Sequence, residues 1–290
     1  MRKVPRFNVQ HITSFLDAWA PPQTQFSYDN VGLLSGDPQQ PVASVLVTLD
    51  VTDAVIEEAI AAEIDLIVAH HPLIFPKITR VTSENPTGRM LRKLIKHDIA
   101  LFVSHTNLDA SPTGVSHMLA QEIGLTDIKI LDTGSHSTFN QTEQPETPHG
   151  MGAIGTLPVS EPHTQEQFFN WISKRLNLNS FRFCGSNNRI KKVAVCGGAG
   201  VSLASKAIAA QADVFITADI KYHDYFVDYT PFLLLDIGHF ESEQMMRKYV
   251  SRELQKKFSS LRVEQSKVDT NPMNTFVYKS DQSQNQPSKA

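Results

Sequence analysis

The chain has 290 residues, of which 41% are hydrophobic and 20% charged, with a formal net charge of −3. This composition is typical of a globular protein with a core large enough for two lobes. No basic run favours nucleic-acid binding, and no apolar run reaches the 18 residues that a membrane-spanning helix needs. The two cysteines, Cys184 and Cys196, are far apart and form no metal-binding or redox motif. A disulfide framework is therefore not expected, and we predict a cytoplasmic protein.

Strand and helix patterns alternate through the first half of the chain. Three apolar runs predict strands, at residues 42–49, 65–71 and 99–104. Apolar residues at helical spacing predict helices over residues 9–19, after Thr52 and from Met90. Because a helix between two strands favours a right-handed crossover, we expect a mainly parallel sheet. We assign residues 1–131 to a first α/β lobe.

A second alternating pattern follows a polar segment. Residues 132–149 contain few aliphatic side chains and are expected to form a linker or a long surface loop. Further strands are predicted at residues 193–196, 214–217, 232–237, 261–263 and 275–278, and helices at residues 168–176, 203–208 and 242–258. We assign residues 150–279 to a second α/β lobe, whose C-terminal part can pack back on the first. Residues 280–290 are polar and are expected to be disordered.

Histidines follow three of the predicted strands where each strand ends. His70 and His71 end the second strand, His105 follows the third, and His239 follows the run at 232–237. Side chains alternate along a strand, so adjacent histidines point in different directions and suit two neighbouring metal ions better than one. Taken alone, His70 and His71 are explained equally well as hydrogen-bonded residues at a loop entrance.

Two acidic residues strengthen the metal-binding interpretation. Asp109 follows His105 by four residues, and Glu243 follows His239 by four, which places the second pair on one helix face. In open α/β sheets such sites form at the carboxyl ends of strands, so we expect the metal site there, between the lobes. Four imidazoles and two carboxylates are more ligands than one metal ion normally takes from a protein. They therefore predict two divalent transition-metal ions with bridging carboxylates. Nitrogen and oxygen donors suit Zn, Mn, Fe, Ni or Co.

Two weaker features have alternative explanations. Glycines at 197, 198 and 200 join a strand to a helix, where backbone amides can hold phosphate, but a tight turn explains them better because no P-loop lysine follows. Lys221 and His223 are predicted to bind substrate, as a phosphate contact or a proton shuttle. An exposed helix start explains these two residues equally well.

Five motifs together resemble the Nif-three-like dinuclear metal-centre family, many of whose members are labelled type-2 GTP cyclohydrolase I homologues. The motifs occur in the family's order, at residues 28–34, 70–72, 105–109, 196–200 and 238–243. The resemblance implies two interlaced α/β lobes and a ring-shaped homohexamer with metal sites facing its interior. It also implies the same six metal ligands: His70, His71, His105, Asp109, His239 and Glu243. Ala218 stands where the family usually has glycine, and the chain is too short for the domain that larger members insert between the halves.

Functions from two classes fit this site. One is a hydrolase in which water activated by the metal attacks a nucleotide-like substrate, and the resemblance implies opening of the imidazole ring of GTP. A two-metal phosphoesterase would need the same parts. The other class is a non-catalytic metal-binding scaffold, metal chaperone or interaction protein. Six ligands shared by two ions can leave coordination positions open on each ion. Open positions favour catalysis, since structural metal sites are closed. No side chain outside the ligands is assigned as a catalytic acid or base.

Overall fold

Two mixed β-sheets with flanking helices form the framework of the protein. The computed structural model describes residues 7–75, 77–133, 148–160, 163–226 and 231–276. The strands in these residues are β1 Phe7–Asn8, β2 Gly32–Ser35, β3 Pro41–Val42, β4 Ser44–Thr48, β5 Leu66–Ala69, β6 Ala100–Val103, β7 Thr126–Asp132, β8 Met151–Thr156, β9 Arg182–Ser186, β10 Lys192–Val195, β11 Val214–Thr217, β12 Phe232–Asp236 and β13 Arg262–Gln265. The α-helices are α1 Val9–Trp19, α2 Asp53–Ala61, α3 Pro86–Lys96, α4 Thr106–Ala110, α5 Val115–Ile123, α6 Gln165–Leu176, α7 Ala204–Ala209, α8 His239–Glu243 and α9 Met246–Lys257.

The first sheet is mainly parallel, as the alternating pattern predicted. Its strand order is β13-β4-β5-β6-β2, and only β2 runs antiparallel to its neighbour. Helices α2 and α3 connect β4 to β5 and β5 to β6, which is the crossover that parallel pairing requires. The side chain of Thr52 accepts a hydrogen bond from the Val55 amide and caps α2, as expected.

The second sheet is mixed, so the expectation of mainly parallel sheets is wrong here. Its order is β7-β8-β10-β11-β12-β9, and only the β10–β11 and β11–β12 pairings are parallel. β7 and β8 are consecutive and have no helix between them in the described residues, so they pair antiparallel. β9 is an exposed edge strand with the sequence Arg-Phe-Cys-Gly-Ser, which lacks the apolar run used to predict the other strands.

Each sheet takes a strand from the other half of the sequence. β13, near the C-terminus, pairs with β4 of the first sheet, and β7, before residue 133, pairs with β8 of the second. This exchange agrees with the interlaced arrangement implied by the resemblance. The lobe boundaries at 131 and 150 stay a prediction. In the predicted linker, Asp132 and His149 at its ends are buried, while residues 134–147 lie outside the described residues, as does the 280–290 tail.

One apolar core joins the two sheets. Helix α5 packs against β7, β8 and β10 of the second sheet and also contacts α9, which lies on β4 and β13 of the first. The buried side chains along α5 include Val115, Met118, Leu119 and Ile123. At about 1.5–3 kcal/mol for each large apolar side chain, their burial holds the sheets together. The single helix predicted over residues 242–258 is instead two helices, α8 and α9.

Candidate metal centre

All six predicted metal ligands come together where strands of the two sheets end. His70 follows β5, His105 follows β6 by two residues, and His239 begins α8 after β12. Ala69 pairs with Val103, so the carboxyl ends of β5 and β6 are level. The site therefore lies at the carboxyl ends of strands, the position expected in an open α/β sheet.

Distances between the side chains define a compact cluster. The ring centroids of His70 lie 5.0 Å from His71 and 5.2 Å from His105, and His71 lies 5.3 Å from His239. Three sets of side chains each offer donor atoms within 4.8 Å of one another, which suits a shared cation: His70 with His71 and His105, His71 with His239 and Glu243, and His70 with Asp109 and Glu243. His70, His71 and Glu243 each belong to two of these sets, so the three sets form one cluster.

Each of the four imidazoles is held through Nδ1, which leaves Nε2 free for the centre. Nδ1 of His71 lies 2.7 Å from Asp50 Oδ1, and Nδ1 of His70 lies 2.8 Å from the Ser104 carbonyl. The other two imidazoles have carboxylate partners in the same way: His105 with Asp29 at 2.8 Å, and His239 with Asp219 at 2.7 Å. An acceptor on one ring nitrogen fixes the tautomer and orientation of a metal-ligating histidine. This arrangement is typical of metal sites.

The three aspartate partners were not predicted from the sequence. Asp50 lies two residues beyond β4, so the strand-end criterion that found the histidines could have found it. Asp29 lies three residues before β2, and its second oxygen accepts hydrogen bonds from the amide and hydroxyl of Thr106. Asp219 follows buried Ala218 and has a positive φ of 54°. Its backbone conformation is uncommon for a non-glycine residue, though aspartate tolerates it better than most.

Glu243 Oε2 is the centre of the cluster. It lies 3.0 Å from Nε2 of His71, 3.1 Å from Nε2 of His239 and 3.9 Å from Nε2 of His70. Asp109 Oδ1 lies 3.6 Å from the same atom of His70. Asp109 and Glu243 are both buried. A carboxylate oxygen close to three imidazole nitrogens could hold a metal ion together with them.

The glycine turn at residues 197–200 packs against Glu243. A Cβ on Gly198 would collide with Glu243 Oε1, so only glycine allows this approach. The turn's amides have partners inside the protein: Gly198 N–H donates to Ser242 Oγ at 2.9 Å, and Gly200 N–H donates to Thr217 Oγ1 at 2.8 Å. The tight-turn interpretation is therefore favoured over the phosphate-binding one.

Burial and mutual charge set the protonation of the cluster. Burial lowers the pKa of His70 to about 3 and keeps this ring neutral. Burial also opposes the charge on His71, but its contacts with Asp50 and Glu243 outweigh that effect and raise its pKa to about 10. The close Glu243 carboxylate raises the pKa of His239 to about 9. Burial and the Glu243 charge raise the pKa of Asp109 well above its usual value.

The donor set fits bound metal. His70 Nε2 and Asp109 Oδ1 are buried atoms without a hydrogen-bond partner among the described residues, and Glu243 Oε2 has only its contacts with the imidazoles. Leaving such a group unsatisfied costs about 1–3 kcal/mol, more when it is charged. Here two such atoms lie 3.6 Å apart, and Glu243 Oε2 lies 3.9 Å from one of them. A divalent cation between them would bond to all three and offset the charge of the carboxylates.

Lys221 and His223 take no part in the contacts described above for the six candidate ligands. His223 lies in a 3₁₀ turn at Tyr222–Tyr225, which begins directly after Lys221, and both side chains are exposed. In the described part of the chain, neither forms a hydrogen bond or ion pair with the six cluster residues. Their role in substrate binding stays a prediction.

Other sequence expectations can be compared directly with the structure. Cys184 and Cys196 are free thiols, and no disulfide was expected from the sequence. Among the described residues, no helix is both long enough and apolar enough to cross a membrane.

Sequence comparison finds relatives of this chain that carry the same name. A protein of Staphylococcus epidermidis named GTP cyclohydrolase 1 type 2 homolog is 30% identical, over 87% of this chain and 94% of its own length. That alignment has 353 positions, more than the 290 residues of this chain, so the relative contains residues that this chain lacks. A protein of the same name from Clostridium perfringens is 32% identical, over 86% of this chain and 92% of its own length.

Solved structures show the same fold. Staphylococcus aureus protein SA1388 superimposes with a TM-score of 0.83 at 33% identity, covering 93% of this chain and 99% of its own. A Bacillus cereus protein related to NIF3 gives a TM-score of 0.82 at 24% identity, covering 94% and 100%. The family described as Duf34/NIF3 (NGG1p interacting factor 3) matches residues 7–272. The chain therefore belongs to the Duf34/NIF3 family.

Proposed function

We propose that the protein is a dinuclear metal-dependent hydrolase that acts on a nucleotide-like substrate. The main support is the pair of unsatisfied buried atoms on His70 and Asp109, which lie beside the Glu243 carboxylate. Six donor side chains are more than a single ion normally takes from a protein, and Glu243 would be a ligand common to both ions. The proposed ligands are those predicted from the sequence: His70, His71, His105, Asp109, His239 and Glu243. When bound, two divalent ions supply Lewis acidity and make water a nucleophile near neutral pH.

The protein side chains determine how substrate reaches the centre. His70 is fully buried, whereas the side chains of His71 and His239 are 25% and 34% exposed. The accessible rings of the centre are therefore His71 and His239, while His70 forms the closed inner wall. Asp219 and Asp50 hold the two accessible rings in place from behind. These rings keep their orientation when substrate binds because their Nδ1 atoms are already bonded.

The substrate class comes from the names of the relatives and from the resemblance. Both name a GTP cyclohydrolase homologue. In that reaction one water opens the imidazole ring of guanine, and a second releases the ring carbon as formate. Phosphoester hydrolysis is the competing assignment, because two-metal sites commonly catalyse it with the same parts. The family resemblance also suggests that the working form is a homohexamer.

Product analysis of GTP turnover tests the proposal. Purified protein loaded in turn with Zn, Mn, Fe, Ni or Co is incubated with GTP, beside a His70→Ala variant treated identically. Formate above the variant's background supports a cyclohydrolase, and inorganic phosphate without formate supports a phosphoesterase. Neither product with GTP or with a panel of nucleotides and phosphoesters would contradict the hydrolase proposal. A metal-binding scaffold, metal chaperone or interaction protein would then account for the site.

A further inference from the structure

Two aromatic rings lie exposed beside the metal centre. Tyr28 is 63% exposed and Phe75 is 47% exposed. Their ring centroids are 6.2 Å apart at an angle of 64°, and the Phe75 ring lies 6.3 Å from the ring of His105 at 77°. Exposed apolar side chains that occur singly need no explanation, but a group of them beside a polar site marks a binding surface.

Both rings are held by the backbone that positions the ligands. Phe26 stacks on Tyr28 at 5.5 Å and 20°, and its amide donates to Thr106 Oγ1 in α4 at 3.0 Å. Asn30 Nδ2 donates to the Ile74 carbonyl at 2.6 Å and joins the two loops that carry the rings. Asp29, between Tyr28 and Asn30, holds His105. The surface is thus preorganised, which lowers the entropy cost of binding a ligand.

The phenol of Tyr28 is uncharged at neutral pH, because the ordinary pKa of tyrosine is about 10 and partial burial and the charges of Asp29 and Asp109 raise it further. Tyr28 therefore presents a neutral ring with a hydroxyl donor. A neutral aromatic face on one side and metal ligands on the other define a site for a molecule with a planar ring beside its reacting bond.

We propose that Tyr28 and Phe75 form a stacking platform for a planar heteroaromatic ring of the substrate, such as a nucleobase, at the His105 edge of the metal centre. The platform depends on the proposed function, since it serves the same site and specifies which part of the substrate is recognised there. Aromatic side chains stack on every nucleobase, so the platform selects for a base without selecting which one. Loss of a stacking side chain is expected to weaken binding about 10-fold to 100-fold.

Ligands that differ only in the base test the platform. Dissociation constants for guanosine 5′-monophosphate and ribose 5-phosphate are measured by calorimetry on metal-loaded protein. We expect the wild type to prefer the nucleotide. Tyr28→Leu and Phe75→Leu are each expected to weaken nucleotide binding 10-fold or more and to leave ribose 5-phosphate unchanged, while Tyr28→Phe keeps the nucleotide affinity.

Phe183→Leu is the matched control. Phe183 is 46% exposed, nearly the same as Phe75, and lies on β9, where it packs against Phe169. Its replacement should change neither affinity. Metal content confirms that each variant keeps its centre, and Phe75→Leu decides the matter if Tyr28→Leu does not fold.

Three results would overturn the platform: equal affinity of the wild type for both ligands, nucleotide binding that survives both leucine substitutions, or a change in particle mass by light scattering in Tyr28→Leu. The last result would make the surface a contact between copies of the chain. Base-dependent binding without formate or phosphate release would leave the platform standing and contradict only the hydrolase proposal. Turnover without base-dependent binding would do the reverse.

Discussion

Nε2 of His70 lies 3.6 Å from Oδ1 of Asp109, and neither atom has a hydrogen-bond partner in the described residues. Both side chains are buried, so bulk water has little access to them. His70 has a lowered pKa and is neutral, so it presents a lone pair to the carboxylate instead of a charge. The two buried atoms are too far apart for a hydrogen bond, and a cation between them would bond to both.

Removal of either carboxylate should reduce the metal content. We expect close to two equivalents of metal per chain in the wild type, and about one or fewer after Asp109→Ala or Glu243→Ala. Elemental analysis after loading and desalting measures this. Asp53→Ala is the control, because Asp53 forms surface ion pairs with Arg89 and Lys93 away from the centre. Unchanged metal content in both site variants would refute the ligand assignment.

Without metal, the Asp109 carboxylate should destabilise the protein. Burial and the nearby Glu243 charge both oppose its ionised form. In the presence of a chelator at pH 8, Asp109→Asn should therefore raise stability by about 1–2 kcal/mol, or roughly 2–8 °C in Tm. With metal the order should reverse, since a ligand present at 100 times its Kd adds about 2.7 kcal/mol to the wild type. Thermal melts in both conditions check the reversal, and a variant less stable than wild type in both would contradict it.

The aspartates behind the histidines should tune metal affinity. Asp29→Asn and Asp50→Asn remove the charge that orients His105 and His71. Replacing such partners typically costs about 10-fold to 100-fold in metal affinity. Competition with a chromogenic chelator measures the effect, with Asp53→Asn as the matched control. Affinities within twofold of wild type for both variants would show that the carboxylates do not support the ligands.

The histidines could be predicted from the sequence, but which aspartate each histidine pairs with could not. A histidine at the end of an apolar run is a local pattern, and an acid four residues after a histidine is a helical spacing. By contrast, Asp29 lies 76 residues from His105, and Asp50 lies 21 from His71. Such partners are identified only once the strands are in register. The pairing of β9 in the second sheet was also not predicted. Its sequence has too few apolar residues to be recognised as a strand.

A hexamer is expected from the family resemblance. Light scattering on metal-loaded protein should then give a particle of six times the chain mass of 32.3 kDa. A mass that stays at that of one chain at micromolar concentration would rule the hexamer out. Repeating the measurement with chelator would separate an assembly that needs metal from one that does not.

The carboxylate of Asp17 should make stability fall as pH rises. Burial raises its pKa to about 6, and its Oδ1 has no hydrogen-bond partner in the described residues. Between about pH 4 and pH 6 the folded chain therefore holds a proton that the unfolded chain has lost, so the free energy of unfolding decreases across this range. Asp17→Asn should raise stability by about 1–2 kcal/mol at pH 8, allowing for partial solvent screening, and by little at pH 4.

Urea unfolding at both pH values measures the difference. Glu84→Gln, which neutralises an exposed carboxylate, should change stability equally little at both. A gain from Asp17→Asn of the same size at pH 4 and pH 8 would show that the effect does not come from the charge.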